Sequence, residues 1–340
     1  MKKNLLAFII MACFCTQVEA QFTIRLAGGY AWPGFQTSEA INGPIIDPAH
    51  PDIDALGPLA NINDTTHSYK PIKGSYGQGM NFSLGLGYTV GKYFNFELGI
   101  SYLKSKTITA DQTRQLTIPD YVGGYTYIPA YLHAHITSNA FGISISPAIT
   151  IQAPIKRSKF MPYMRVGLSM PVFGGLTDHV TIDQNSGIPT LSKAPYFLGK
   201  HTDVTLTTQG AASLGFNGAI GLKYNVLPYL SIFAEVNGQY LTTRAKSAKI
   251  TQWDADGVSK LGSDPSDRTV YRTQFNFVNE LSATSNNAQY NAKYSTSSAK
   301  DDVMPTGPFS NLGLNIGVTL NLGKKTLKKK EPAKADDKAK

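Results

Sequence analysis

The chain has 340 residues, a formal net charge of +9 and two cysteines, and only 16% of its residues are charged. Soluble domains carry about 25% charged residues, so this composition argues against an ordinary cytosolic enzyme. Beyond the N-terminal segment no apolar run nears the roughly 20 residues that a membrane-spanning helix needs, which excludes a helical membrane protein. A secreted all-β protein or a membrane β-barrel is left.

The N-terminus has the pattern of a secretory signal peptide. Lys2 and Lys3 form a basic start, residues 5–15 form an apolar segment too short to span a bilayer, and small residues precede Gln21. This order of regions is typical of a signal that is cleaved on export. We therefore predict a signal peptide over 1–20.

Both cysteines, Cys13 and Cys15, lie inside that segment. A lipoprotein cleaved at Cys13 is the alternative, but Met11 fits the required box poorly. Without the signal peptide the chain has no cysteine, which leaves no disulfide framework, thiolate metal site or cysteine nucleophile. The rest divides into a barrel segment, 21–322, and a Lys-rich tail, 323–340, whose composition predicts a disordered periplasmic extension.

The segment 21–322 alternates large apolar residues with small polar ones, with a period of two. Along 80–90, for example, Met80 and Phe82 flank Asn81, and 309–322 repeats the pattern. Such alternation predicts β-strands with one apolar face. The predicted strands are eight: 22–32, 76–90, 93–105, 134–151, 159–173, 209–226, 229–244 and 309–322.

The connections between these strands alternate in length. Those after strands two, four and six have 2, 7 and 2 residues, whereas those after strands one, three, five and seven have 43, 28, 35 and 64. Outer-membrane barrels combine short periplasmic turns with long extracellular loops. The predicted fold is therefore all-β: an eight-stranded antiparallel up-and-down transmembrane β-barrel with long extracellular loops and both termini in the periplasm.

The last predicted strand carries a further pattern, Asn315-x-Gly317-x-x-Leu320-x-Leu322. It resembles the signal that the barrel assembly machinery reads on a final strand, although Leu322 is neither aromatic nor C-terminal. Together with the strand pattern and the loop alternation, it makes 21–322 resemble the OmpA/OmpX-type, porin-like outer-membrane β-barrels. A lipocalin-like soluble barrel is the alternative, and it requires the large apolar residues to point inward.

Aromatic residues cluster at the strand ends, as they do in the girdles at the two interfaces of a membrane barrel. The residues predicted at the periplasmic interface are Tyr88, Tyr93, Phe94, Phe160, Tyr224 and Tyr229. The residues predicted at the outer interface are Tyr30, Trp32, Tyr102 and Tyr240.

If the large apolar residues face lipid, the opposite register faces the lumen. Its charged residues are Arg25, Glu97, Arg165, Lys223 and Glu235. An eight-stranded barrel is only wide enough for side chains to fill it. Because an unpaired buried charge is costly, each glutamate is predicted to contact at least one of these cations. Two interpretations stay open: a plug that stabilises the barrel, or a gated path for small ions as suggested for OmpA-type barrels.

His133 and His135 are two residues apart and so share one face of an extended strand. Such a pair can begin a metal site, but solvated polar residues explain it as well, and neither a metal nor a cofactor is predicted. Lipid-modifying barrel enzymes use His, Ser or Asp near the outer leaflet, and here that alternative needs His135 and Ser138. No acidic residue lies close in sequence to orient His135, so no catalytic residue is predicted.

Four cations at the outer ends of predicted strands three and seven are candidates for contacts with lipid A phosphates. They are Lys104, Lys106, Arg244 and Lys246. In the longest connection, 269–278 has the pattern of a further strand, which predicts an extracellular hairpin and leaves ten barrel strands as an alternative. The first connection, 33–75, is rich in Pro and Asp and is predicted to be irregular.

The sequence therefore predicts an integral protein of the Gram-negative outer membrane with a structural or surface-interaction role through its large loops. Predicted partners are outer-membrane lipid and lipopolysaccharide, the barrel assembly machinery, and an extracellular ligand or protein that the sequence does not name. The alternatives are a narrow gated channel, a lipid-modifying barrel enzyme, and an accessory barrel of a secretion or uptake complex. Nucleic acid is not a predicted partner, because the tail holds eight lysines against three acidic residues and 21–322 keeps only +3.

Overall fold

The computed structural model of the chain describes residues 21–34, 63–69, 75–120, 126–184, 201–261 and 269–322. The predicted signal peptide and tail lie outside these residues. The described elements, in chain order, are β1 (Gln21–Pro33), β2 (Asn63–Tyr69), β3 (Gly79–Val90), β4 (Phe94–Ser105), β5 (Ile108–Asp120), β6 (Thr126–Gln152), β7 (Phe160–Gln184), β8 (His201–Ala211), β9 (Gly215–Leu227), β10 (Leu230–Tyr240), β11 (Thr242–Ala255), β12 (Val258–Ser259), α1 (Thr269–Thr273), β13 (Gln274–Val278), β14 (Lys300–Val303), β15 (Thr306–Pro308) and β16 (Asn311–Leu322).

Eight of these strands form a closed antiparallel barrel. Their order around the ring is β1, β3, β4, β6, β7, β9, β10 and β16, and β16 pairs back to β1. The closing pair runs from Phe22 opposite Leu322 to Pro33 opposite Asn311. Each of the eight overlaps one of the predicted strands, so the predicted fold class is confirmed.

The barrel exposes large apolar side chains on its outer surface. Phe82 on β3, Ile100 on β4 and Ile220 on β9 are 55%, 51% and 69% exposed. Their neighbours along each strand point inward, because successive side chains of a strand lie on opposite faces. The inward neighbours of these three residues are small or polar. The buried apolar cluster inside the described barrel is small (Ala27, Tyr163 and Phe233), whereas a lipocalin-like barrel requires its large apolar residues to point inward.

The two ends of the barrel have different connections. At one end, which we name the turn end, three hairpins close through residues 91–93, 153–159 and 228–229. Gly91 has a φ of 66°, a left-handed conformation that glycine adopts without steric cost. At the other end, which we name the loop end, the long connections leave the barrel and carry further strands.

An extension of the same sheet, which we name the raised sheet, continues the barrel wall beyond the loop end. It consists of β5, β8, β11 and the loop-end halves of β6 (126–138) and β7 (175–184). β6 and β7 have 27 and 25 residues, well over the 9–11 that a tilted strand needs to cross a bilayer. The barrel wall and the raised sheet are therefore one continuous hydrogen-bonded surface along these two strands.

The raised sheet corrects the expectation of loops over much of 106–133, 174–208 and 245–308. Parts of these segments pair as strands. Where side chains are described on β8, β11 and the loop-end half of β7, the outward residues are largely polar, so these strands lack the row of large apolar residues that marks a lipid-facing strand. The inward side of the raised sheet forms a conventional apolar cluster. Its buried members are Ala134, Ile136, Val180, Ile182, Val204, Leu206, Ala248, Ile250 and Trp253.

The strand predicted over 269–278 is only partly right. Residues Thr269–Thr273 form the short helix α1, and β13 follows at Gln274–Val278. β13 pairs with β11 and β14 outside the barrel ring, so it does not add to the eight barrel strands. Within the described residues, no helix has the length and apolar character to cross a membrane. Most of 33–75, predicted to be irregular, lies outside the described residues.

A β-bulge in β7 separates its barrel half from its raised half. The register with β6 shifts there, from Phe173 opposite Ile143 to Pro171 opposite Ser144. Val172 and Phe173 are consecutive, yet they are 56% and 62% exposed. The bulge therefore reverses which set of alternate residues of β7 points outward.

Candidate functional site

The five charged residues predicted for the lumen all lie on the inward face of the barrel. Arg25, Glu97, Lys223 and Glu235 are between 3% and 7% exposed. The side chain of Arg165 is 14% exposed. Each comes from a different barrel strand (β1, β4, β7, β9 and β10), so the closed ring is what brings them together.

Two arginines and two glutamates form one network across the lumen. Arg25 Nη2 lies 2.6 Å from Glu235 Oε1, and Arg25 Nη1 lies 3.8 Å from Glu97 Oε1. Arg165 donates hydrogen bonds to the same two oxygens, at 3.2 Å to Glu97 and 3.0 Å to Glu235. Each carboxylate therefore contacts both guanidinium groups, which joins four strands through the centre of the barrel.

Uncharged residues of the same register complete the shell around Glu235. Tyr163 donates its hydroxyl to Glu235 Oε2 at 2.8 Å, and Asn315 donates its amide to Oε1 at 3.1 Å. The ring of Phe233 lies beneath Arg25, with the guanidinium carbon 4.3 Å from the ring centroid. Charge alone does not identify these three residues as part of the lumen network. Their inward register in the predicted strands could have identified them.

Lys223 stands apart from the four-residue network. Its ammonium group donates a hydrogen bond to Gln152 Oε1 at 3.2 Å and lies 5.1 Å from the ring centroid of Tyr163. Of the three predicted lumen cations, it is the one that forms no ion pair with a described carboxylate. The structure therefore brings four of the five predicted residues into direct contact and places the fifth beside them.

Glycines provide the space that these large inward side chains occupy. A Cβ on Gly85 would lie 2.6 Å from Glu97 Oε1, and a Cβ on Gly221 would lie 2.6 Å from the ring of Tyr163. The small inward residues of the alternating pattern thus lie next to the large lumen side chains and leave space for them. The lumen is packed by its own side chains, as expected for a barrel of this size.

Four histidines lie on the outward face of the raised sheet. Cross-strand register aligns His133 with Asp183 and Asp183 with His201, and it aligns His179 with Thr205. These outward positions are wholly or partly exposed, whereas the alternate residues Ala134, Ile136 and Val180 are buried. The raised sheet therefore presents a face of His, Asp and Thr side chains away from its apolar cluster.

His201 is held between two carboxylates. Its Nδ1 lies 2.7 Å from Asp183 Oδ1, and its Nε2 lies 3.2 Å from Asp203 Oδ2. The hydrogen bond that Asp183 accepts from His201 and the charge of Asp203 raise the pKa of His201 above its ordinary value. His179 approaches the same Asp203 at 3.8 Å, so Asp203 lies between two imidazoles. No group of three or more His, Cys, Asp or Glu side chains among the described residues is arranged to hold a metal ion.

His135 and Ser138, the pair that a lipid-modifying enzyme needs, are not brought together. His135 is exposed on the outward face, and Ser138 is buried on the inward face. Ser138 instead donates a hydrogen bond to Asp178 at 2.5 Å. Burial raises the pKa of Asp178, and burial together with the nearby Asp178 raises the pKa of Tyr76. These contacts support the packing of the raised sheet against the barrel mouth.

The four candidate lipid A contacts lie on two separate parts of the rim. Lys104 is at the loop end of β4 and Lys106 follows it, whereas Arg244 and Lys246 are on β11, which continues from β10. All four are exposed. Three strands of the ring (β6, β7 and β9) separate β4 from β10, so these cations do not form one cluster.

The predicted assembly signal lies in β16, and its two halves point in opposite directions. Asn315 is buried against Glu235, and Gly317 leaves room for Phe233, whose ring would lie 2.5 Å from a Cβ there. Leu322 faces outward and is 51% exposed. The pattern therefore also has a structural meaning, because its polar half completes the lumen network.

Aromatic residues occupy both ends of the barrel exterior. At the turn end Phe22 packs on Tyr88 with ring centroids 5.3 Å apart, and Phe160 packs on Tyr224 at 5.0 Å. At the loop end Tyr30 packs on Trp32 at 5.3 Å. The other aromatic residues predicted at the two interfaces lie near the same two ends of the barrel and are exposed: Tyr93, Phe94, Tyr102, Tyr229 and Tyr240.

Comparison with known proteins yields structural similarity alone. No protein-family model matches the chain, and no curated protein matches it. Among solved structures, the neisserial surface protein A (NspA) is similar with 10% identity and a TM-score of 0.34, covering 88% of this chain and 97% of that one. The outer membrane protein OprG from Pseudomonas aeruginosa is similar with 12% identity and a TM-score of 0.30, covering 90% and 97%. At these values neither similarity defines a family, and the fold rests on the strand pairing itself.

Proposed function

We propose that this chain is an integral outer-membrane β-barrel protein with a non-catalytic role, and that the raised sheet presents its surface for interaction. The observation that carries the proposal is the inverted polarity of the closed barrel. Large apolar side chains cover its exterior, and its lumen contains four buried charged residues and a fifth, Arg165, that is mostly buried. In water this arrangement exposes apolar surface at great cost, whereas a bilayer accommodates it.

Extraction and gel migration test the membrane assignment. The full chain is expected to require detergent for extraction and to migrate differently before and after heating, because the closed barrel resists unfolding by detergent at low temperature. Recovery of a folded monomeric protein from a detergent-free buffer would contradict the proposal.

The proposed orientation places the raised sheet outside the cell and the turn end, with both termini, in the periplasm. Its support is the contrast between short hairpins at one end and long connections at the other. Residues 21–340 contain no cysteine, so single cysteines can be introduced without interference. A membrane-impermeant maleimide added to intact cells is expected to label T137C on the raised sheet and to leave R157C on a turn unlabelled. The reverse labelling would overturn the orientation.

The surface role is supported by the ordered, outward His, Asp and Thr face of the raised sheet. Photoactivatable crosslinkers attached at T137C and at R157C in native outer membranes compare the two ends directly. Crosslinks to outer-leaflet lipopolysaccharide or to surface proteins are expected from T137C alone. The same products from both positions would contradict a role specific to the raised sheet.

A narrow ion path is the second candidate, and the polar, charged lumen favours it. Arg25 and Arg165 bind both glutamates across the lumen, so the network closes the path in this structure. Wild-type protein in planar bilayers is therefore expected to be closed most of the time. Rare openings that become frequent in the E97Q/E235Q variant would favour a gated channel, and silence of both proteins would exclude it.

A further inference from the structure

The lumen contains more positive than negative charge. The strand segments that build the barrel wall carry six charged residues, and all of them are described. Lys104 is exposed on the outer surface, opposite Met80 and Phe141. The other five face the lumen: Arg25, Arg165 and Lys223 against Glu97 and Glu235. One positive charge is left over inside a wall that is covered on the outside by apolar side chains.

The contacts locate this excess charge at Lys223. The two arginines and the two glutamates pair with one another, so their charges balance. Lys223 is 5% exposed, and Gln152, its hydrogen-bond partner, is neutral. An ammonium group has three donors, and burial of an uncompensated charge is strongly unfavourable.

The arginines of the network are different, because each has carboxylate partners. Arg25 Nη2 lies 2.6 Å from Glu235 Oε1, and Arg25 Nη1 lies 3.8 Å from Glu97 Oε1. Arg165 contacts the same two carboxylates. Lys223 is therefore the lumen cation whose charge has no partner of opposite sign within 4 Å among the described residues.

We infer that the lumen binds one small monovalent anion beside the ammonium group of Lys223. A single negative charge neutralises the excess, and it accepts the ammonium donors that Gln152 does not use. The anion is small because side chains already fill a lumen of this width. Chloride has the required charge and size.

Lys223 lies toward the turn-end terminus of its strand. On β9 it is two residues from Asn225, and the strand ends at Leu227. It pairs across the sheet with Met161 and Phe233. Its ammonium group contacts Gln152 Oε1 and the ring of Tyr163, so these two side chains border the proposed anion site.

Chloride itself is the probe, and the purified full chain in detergent is the sample. Unfolding midpoints are compared in sodium chloride and in sodium gluconate at equal ionic strength, because gluconate is too large for the filled lumen. A ligand that binds only the folded state stabilises it, with a free energy that grows with its concentration. The wild-type midpoint is therefore expected to rise with chloride and to stay flat in gluconate.

Three variants make the test specific to this lysine. K223M keeps the length of the side chain but removes the charge, and it is expected to lose the chloride dependence. K223R keeps the charge and is expected to retain it. K104Q removes an exposed lysine of the rim and is expected to behave as the wild type. Chloride-35 NMR line broadening, measured on the same samples, is expected from all except K223M.

Two results would overturn the inference. One is a wild-type unfolding midpoint that does not rise with chloride concentration, together with a chloride-35 line that the protein does not broaden. This is the behaviour expected of a neutral lysine amine. The other is a chloride dependence that persists in K223M, which would place the bound anion elsewhere. If K223M does not fold, the wild-type, K223R and K104Q proteins are compared instead. Broadening of the chloride-35 line by all three supports the inference, and its absence in the wild type contradicts it, because a neutral lysine predicts no broadening.

Discussion

The two halves of β6 belong to one hydrogen-bonded strand and bury the same inward face, but the polarity of the inward and outward faces is reversed between them. In the barrel half, Ile145 and Ile149 point outward and Thr150 is buried toward the lumen. In the raised half, His135 points outward, and Ile136 is buried on the inward side. The backbone pairing is the same in both halves, so the change in side-chain polarity marks where an apolar environment outside the wall gives way to water.

This inversion explains why the halves are stabilised differently. The raised sheet has an apolar cluster inside and solvated groups outside, so the hydrophobic effect acts on it as on a soluble protein. The barrel half has ion pairs and hydrogen bonds inside, and its apolar residues are outside. Substitutions of the same kind should therefore have different effects in the two halves, which allows the comparison to be tested.

The largest difference is expected for buried and exposed carboxylates. E235Q in the lumen leaves Glu97 to balance both Arg25 and Arg165 and should lower the free energy of unfolding by about 3–5 kcal/mol, since it breaks a buried pair. D203N on the exposed face of the raised sheet should cost less than about 1 kcal/mol. Urea unfolding in lipid vesicles measures both. Equal costs would show that the lumen network contributes no more than a surface pair.

The next difference concerns a charge placed on the outward face of one strand. I145R introduces a cation near the middle of the barrel part of β6 and should cost about 2–4 kcal/mol, because arginine is disfavoured at the bilayer midplane. T137R, eight residues away on the same outward face, should be close to neutral because that position is in water. Similar losses of free energy for I145R and T137R in vesicle refolding would contradict the assignment of lipid contact to the barrel half of β6 alone.

A smaller effect is expected from removing one methylene-sized group. I136V creates a small cavity in the apolar cluster of the raised sheet and should cost about 1 kcal/mol, as for buried isoleucines in soluble cores. I143V on the outward face of the barrel half should cost less, since lipid chains can fill the gap. Hydrogen exchange of the raised-sheet amides provides the measurement. A larger loss in I143V than in I136V would be inconsistent with the inversion.

The smallest effect is a pH dependence confined to the raised sheet. The pKa of His201 is raised by Asp183 and Asp203, so its contribution is fully present below the ordinary histidine pKa and is lost as the pH rises through the folded-state value. Amides at the start of β8 should therefore exchange faster at pH 8 than at pH 5.5, after correction for intrinsic exchange. H201Q should remove this difference and leave the barrel amides unchanged. A difference that persists in H201Q would assign it to another group.

The sequence was sufficient for the barrel because lipid imposes a simple rule on its strands. Outward positions away from the rim are apolar, so alternation is visible at Met80 and Phe82 as clearly as at Leu312 and Leu314. The same rule placed Arg25, Glu97 and Glu235 in the lumen. It could not show which partners they take, because pairing depends on the register of β1 against β16 and on ring closure, neither of which is a local property.

The raised sheet was missed for a related physical reason. His133, His135 and Thr137 alternate with Ala134 and Ile136. A strand whose outer face is exposed to solvent, however, does not show the long series of large apolar residues that marks a lipid-facing strand. The bulge at Val172 and Phe173 also interrupts the alternation of β7, which ended the predicted strand at 173 although the observed strand continues to Gln184. A pattern search that allows one register shift would have followed β7 further.

The pairing of β16 with β1 has a consequence for how the chain is assembled. Phe22 lies opposite Leu322, so the last seam of the ring joins segments from the two ends of the barrel sequence. Until that seam forms, the other strands make an open sheet with two unpaired edges, a form that pairs readily with other chains. Pairings of such large sequence separation also form slowly. Formation of the β1–β16 seam therefore removes both exposed edges at once.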